Sequence, residues 1–424
     1  MAKRKNGSIV GVDLGTDSVR FVVVEPNDID GLDIMGYASV SSNGLRKGQV
    51  VNINASAEDL KKGMQELAMM GGDRKVQEIF CAISGSHIEG MTSPGDITVR
   101  NEVTEQDVSR VLKVARTVKH SPGRDILHVL PSYFTIDNGP AVQTPVGHAG
   151  VRLHTDVYLV TAGRSVMDNT YTCGARGGVN VRGLAFTALA ASETLLTDPE
   201  KEMGVLLVDI GAGTTDIVIW HDRAVRLVAC IPLGGSLISS EVAATLATTR
   251  REAERVKVRF GSAAPRFVDP EEVFEVPGVG AKPPTSFARQ YLAGIVERRL
   301  TEIFERIVEI VKDAGMEDYI RAMGVVLTGG VAQLADIEAF TADLLGVNVR
   351  VADMQLSVNE AVNWGGMTNL FQDPHYSVAL GMTVMAYRGD FDGYVGPGDD
   401  PDQVPEKNRK KAGGLVDWFR RSFK

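Results

Sequence analysis

At 424 residues, with 44% apolar and 23% charged side chains and a mean hydropathy of −0.02, the chain can hold about two to four domain-sized units with real cores. A net charge of −9 and no basic face in the body exclude nucleic acid as a partner. The cysteines (Cys81, Cys173, Cys230) lack metal-ligand spacing and the histidines are scattered, so a reducing cytoplasm is expected and zinc is not. Basic Met1-Ala2-Lys3-Arg4-Lys5 leads into a strand rather than an apolar signal core. No run approaches the ~20 apolar residues that cross a bilayer, so neither export nor a membrane span is expected.

From Ser8 the pattern reads strand, tight Gly turn, strand: Val12-Asp13-Leu14-Gly15-Thr16, then alternating Val19, Phe21 and Val23. A helix over Ala57–Met69 and a strand over Glu78–Ile83 follow. At Ser84 the character changes. Thr104-Glu105-Gln106-Asp107 has a capping-box look and opens a helix through His120, flanked by strands around Leu127–Leu130 and Val157–Val160. This block reads as a compact α/β insertion placed before the first domain is complete. Helix and strand alternate through Arg164–Leu196. Then the opening phrase recurs as Val208-Asp209-Ile210-Gly211-Ala212-Gly213-Thr214, with Ile217 and Ile219 after it.

Beyond Ile231-Pro232-Leu233-Gly234-Gly235 a helix is expected to about Thr248, and another over Arg250–Arg259. Phe260–Phe287 reads as short strands and loops, Ala288–Gly315 as helix. The strand Met323–Leu327 runs into Thr328-Gly329-Gly330, and the globular part ends near Arg388. Residues 389–414 are linker by composition, spanning roughly 25–30 Å as a flexible chain. In the last stretch Leu415, Val416, Trp418, Phe419 and Phe423 share an arc of about 160° on a helical wheel, with Asp417, Arg420, Arg421 and Lys424 opposite. Such a helix behind a basic tether suits the interface of an anionic bilayer. A terminal helix docked on the body is the competing reading.

The duplicated phrase supplies what a nucleotide triphosphate needs. Glycines let backbone N–H groups approach phosphate oxygens, and hydroxyls add donors. The phosphate-binding candidates are Gly15, Thr16, Asp17, Ser18, Gly211, Gly213, Thr214 and Thr215. Asp13 and Asp209 can hold Mg²⁺ through water, and charge balance between carboxylates and polyphosphate requires the cation. No Gly-x4-Gly-Lys-Ser/Thr occurs, and Gly211-Ala212-Gly213 continues to Asp216 and a strand where a Rossmann fingerprint needs Gly and a helix. What remains is similar to the actin/Hsp70/sugar-kinase arrangement, in which two hairpins clasp ATP between domains. Gly329 and Gly330 are adenosine candidates, the alternative being a Gly-rich turn at a helix start. Glu254 and Lys257 share a helix face and either contact ribose and adenine or form a solvated pair.

Together these residues resemble the FtsA family of bacterial cell-division proteins, nearly end to end. Val10–Thr16, Val208–Asp216 and Val326–Gly330 look like its two phosphate segments and its adenosine segment. Ile83–Ile88, Ile126–Pro131 and Gly150–Leu153 are similar to its 1C insertion, and Ala253–Lys257 and the amphipathic tail match as well. The resemblance implies an α/β, actin-like two-domain fold with duplicated RNase H-like cores, an inserted 1C subdomain and a C-terminal amphipathic helix. It divides the chain into 1A (1–83, 162–196, 364–388), 1C (84–161), 2A (197–228, 289–363), 2B (229–288), linker (389–414) and membrane helix (415–424). It further implies ATP and Mg²⁺ as ligands and polymerisation on the cytoplasmic face of the membrane at the division site. Capture of the FtsZ C-terminal peptide and recruitment of later division proteins are implied too. Arg289, Glu297, Arg298 and Arg299 are charged candidates for FtsZ contact.

Two departures stand out. Ala212 and Val331 occupy places where the family often has glycine. The connecting segment Arg182–Ala188 carries no group to orient an attacking water, and no carboxylate or amide lies between Asn180 and Glu193. ATP is therefore expected to be held well and cleaved slowly. A small-molecule kinase on the same fold and a pilus-assembly relative are the alternatives, and neither gives the tail a role.

Overall fold

The computed structural model describes residues 7–27, 31–71, 76, 78–117, 121–278, 283–318, 324–357 and 363–391. The expected tail helix, 415–424, and the linker beyond Phe391 lie outside the described residues, as does His120.

Two sheets carry the molecule, and their order repeats. In the first, Asn180–Phe186, Glu78–Ile83, Ile9–Leu14, Ser18–Pro26 and Leu32–Ser41 lie side by side, with Trp364–Gly366 added at the edge. In the second the order is Val349–Val351, Val325–Thr328, Val205–Ile210, Thr215–His221 and Ala224–Ile231. In each, a central strand is antiparallel to the strand after it and parallel to a later one. This is the expected duplicated core. The central strand Val205–Ile210 is buried throughout, as the apolar run Val205–Val208 requires of a strand covered on both faces, and Asp209 is its one polar side chain. The chain crosses from first to second sheet after the helix Thr187–Leu195. It returns with Trp364–Gly366, which pairs with Leu32–Ile34, and with the helix Ser377–Arg388.

Helix ends follow local chemistry. Ile53–Gly71 starts ahead of the expected Ala57, and Asn52 accepts from the Ala55 N–H. Glu105–Arg116 has a full capping box between Thr104 and Asp107. Gly235–Thr245 stops short of Thr248 because Ala247 takes a left-handed φ of 49°. The following helix, Arg250–Phe260, is capped by Thr249.

The insertion forms its own four-stranded sheet from Glu89–Thr98, Arg152–Gly163, Arg124–Ile136 and Ala141–Val142, with Glu105–Arg116 packed against it. It is tied to both halves. His128 accepts from the Phe186 N–H at 3.0 Å in the first domain. Tyr158 accepts from the Val228 N–H at 3.0 Å, and the Tyr133 hydroxyl donates to the Asp222 carbonyl, both in the second.

Between the domains Glu193 accepts from Lys201 at 3.2 Å and from Arg388. Burial alone would raise its pKa, but the two cations hold it down at about 2. Lys201 also lies 4.9 Å over the Trp220 ring. Past Gly389, Phe391 packs on Phe80 with ring centroids 5.0 Å apart. Among the described residues no helix is long and apolar enough to cross a membrane.

Candidate functional site

Each hairpin forms because an apolar strand is turned by a short Gly-containing loop and pairs back on itself. Leu14 pairs with Val19 in one, Ile210 with Thr215 in the other. The two turns meet. A Cβ on Gly213 would lie 2.5 Å from the Thr16 hydroxyl and 3.0 Å from the Lys47 Cα, so only glycine fits there. Thr16 in turn accepts from the Gly48 N–H at 3.2 Å.

Acidic groups line the meeting point. Burial pushes the Asp13 carboxyl up to about 6, partly offset by Arg20 at 3.8 Å and by His375. Asp209 is raised well above the usual carboxylate range by burial and by the neighbouring Asp216 and Asp13. Asp216 stands directly opposite Asp209 in the hairpin register. Burial lifts it to about 6 against hydrogen bonds from Cys230, Ser84 and Thr214.

The other candidates close around the second hairpin. Gly329, at φ 86°, lies so close that a Cβ would sit 2.4 Å from Asp209 Oδ1. Gly330 faces His375. Lys257 is buried and donates to the Gly235 carbonyl, to Ser239 at 3.0 Å and to Glu254 at 2.9 Å. Glu254 remains half exposed. The space beside Gly235 is bounded by Val331, Lys257 and the Gly211 carbonyl, so the structure brings the adenosine candidates against the phosphate hairpin.

Not every candidate points inward. Asp17 is exposed, and the buried Thr215 hydroxyl donates to the Leu233 carbonyl at 3.0 Å. Arg289, Glu297, Arg298 and Arg299 all lie on the helix Arg289–Asp313. Arg289 pairs with Glu272, Glu297 with Arg266, and Arg298 and Arg299 with Glu241.

The donor set fits a hydrated cation and a phosphate. Among the described residues, the Thr328 hydroxyl, level with Asp209 on the adjoining strand, and the Ser18 hydroxyl are buried without a hydrogen-bond partner. No three His, Cys, Asp or Glu side chains among the described residues converge to hold an ion alone. A cation there needs water and ligand oxygens.

Two residues of the site were missed in the sequence. Asp216 could have been found by counting hairpin register back from the turn. Ser84, whose hydroxyl lies 2.7 Å from both Asp216 oxygens, gives no local signal, because the pair is 132 residues apart.

Residues 206–381 match the family model "Cell division protein FtsA", and residues 85–161 match "SHS2 domain inserted in FTSA". Among solved structures, a PilM-PilN type IV pilus biogenesis complex is similar with a TM-score of 0.63 at 17% identity, covering 89% of this chain and 98% of that one. MreB5 of Spiroplasma citri bound to AMPPNP gives 0.53 at 14% identity, covering 90% and 96%. These likenesses establish the actin-like fold. The cell-division protein FtsA of Pseudomonas aeruginosa is 35% identical over 395 residues, 93% of each chain. On that extent of identity, and with both family models in place, the chain belongs to the FtsA family of cell-division proteins.

Proposed function

We propose that the cleft binds ATP with Mg²⁺ as a conformational switch, in a protein that polymerises on the inner face of the cytoplasmic membrane. There it tethers FtsZ filaments through their C-terminal peptide and recruits later division proteins. The observation that carries the nucleotide reading is the tip-to-tip meeting of Gly213 and Thr16, with Asp13, Asp209 and Asp216 gathered behind it. Asp13 and Asp209 would hold Mg²⁺ through water, and the bound cation would neutralise the polyphosphate. Backbone N–H groups at Gly15 and Gly213 and the Thr16 hydroxyl would orient the phosphates, while the Gly211 N–H closes the hairpin on the Thr214 carbonyl at 2.9 Å and the Thr214 hydroxyl donates to Asp216. Glu254 and Lys257, with Gly329 and Gly330, would border the nucleoside.

What supports slow cleavage is the segment between the two phosphate hairpins. The helix Thr187–Leu195 begins without a carboxylate or amide, and the Thr187 hydroxyl donates to the Ile83 carbonyl at 3.1 Å. The purified full-length protein should bind a fluorescent ATP analogue in Mg²⁺ and turn ATP over more slowly than about one per second. Faster steady-state turnover would overturn the switch reading. Membrane attachment rests on the sequence of 415–424. Sedimentation with anionic vesicles should fail for a chain truncated after Gly414, and retained binding would place the contact elsewhere.

A further inference from the structure

Asp216 is 2% exposed, and among the described residues no Lys or Arg pairs with it. A buried carboxylate in that position is costly unless something holds it. Cys230 and Thr214 hold it from its own domain, and a third group comes from the other. The Ser84 hydroxyl lies 2.7 Å from each Asp216 oxygen and 3.1 Å from the Thr214 hydroxyl, which itself reaches Asp216 at 3.3 Å.

Ser84 is fixed in turn. The His87 ring meets its carbonyl at 3.1 Å. Gly48, at φ 72°, packs so closely that a Cβ would lie 2.7 Å from the Ser84 carbonyl group. The Gly48 N–H donates to Thr16. An unbroken path of contacts therefore runs from the first phosphate turn through Gly48 and Ser84 to Asp216, beside Asp209. Ser84 is also the last residue before the inserted domain, which begins at residue 85.

We propose that Ser84 is a positioning residue of the phosphate site, holding the Asp216 carboxylate from the opposite domain alongside Cys230 and Thr214 from its own, so that the cleft's grip on Mg²⁺–nucleotide depends in part on this hydroxyl. The proposal rests on the reading of the cleft as an ATP site. Ser84 does not touch the ligand in this scheme. It directs Asp216 toward the hydrated cation, and it makes that direction depend on how the inserted domain is seated. A Ser serving only packing would affect nucleotide binding with and without the metal alike.

The test is equilibrium binding of a fluorescent ATP analogue to full-length protein, in Mg²⁺ and in EDTA. Ser84→Ala should weaken binding about tenfold in Mg²⁺, as expected for a hydrogen bond to a charged group, and leave binding in EDTA within about twofold. Ser84→Thr should restore the Mg²⁺ advantage. Asp216→Asn should lose that advantage by itself, and adding Ser84→Ala to it should cost less than about twofold more. Equal weakening in Mg²⁺ and EDTA, or full additivity in the double variant, overturns the proposal. Should Ser84→Ala melt too low to assay, Asp216→Asn with an undiminished Mg²⁺ advantage overturns it alone. Wild-type protein that binds no ATP in either condition overturns the ATP reading itself, and this proposal with it.

Discussion

Asp209 is a residue kept at odds with stability. It is buried, faces Asp216 and Asp13, and its carboxyl is pushed far up by that company. Asp209→Asn should raise the melting temperature of the unliganded protein by a few degrees, and added Mg²⁺ should no longer shift it. A lower melting temperature would show that the carboxylate is stabilising instead. Gly329 works the other way. At φ 86° and 2.4 Å from Asp209 Oδ1, an alanine methyl meets both backbone strain and a clash. Gly329→Ala should cost about 2–4 kcal/mol in urea unfolding. At this scale the sequence was most legible where chemistry is local. The Asp and Gly positions follow from turn geometry. Thr215 did not, because its partner Leu233 lies on another segment, and Ser84 did not for the same reason.

Elements were legible where periodicity and caps agree, as in the capping box before Glu105–Arg116. They were less so where backbone conformation ends a helix, as Ala247 does before Thr248. What no periodicity contains is how the insertion is seated. His128 carries one of those contacts, and burial pushes its pKa down from 6.5 to about 4. Its neutral form is the one that accepts from the Phe186 N–H. The folded state binds the proton less readily than the unfolded chain, so the stabilisation is full above about pH 6.5 and is lost as pH falls toward 4. His128→Gln should flatten the fall in melting temperature between pH 7.5 and 5. An unchanged slope would assign the pH response to other groups.

For the whole molecule, the repeated strand order matches the repeated phrase, and the fold class was legible from that symmetry. The junction was not. Glu193, Lys201 and Arg388 meet from three separate helices. Glu193→Ala removes the buried carboxylate that Lys201 and Arg388 share, and about 3–5 kcal/mol of stability should be lost in denaturant unfolding. Glu193→Gln should lose less, since it keeps an acceptor. Comparable losses in both would mean that packing, not charge, governs the junction.

The chain passes between its halves twice, once after Leu195 and again before Trp364. Two crossings make the halves a door on a pair of pins rather than a ball on a string. Such a door swings about the line through its pins and resists twisting. Movement of the hairpin tips is then largely a single coordinate, an opening angle. One spectroscopic ruler joining exposed positions of the two halves, away from the Thr16–Gly213 contact, should be enough to follow it.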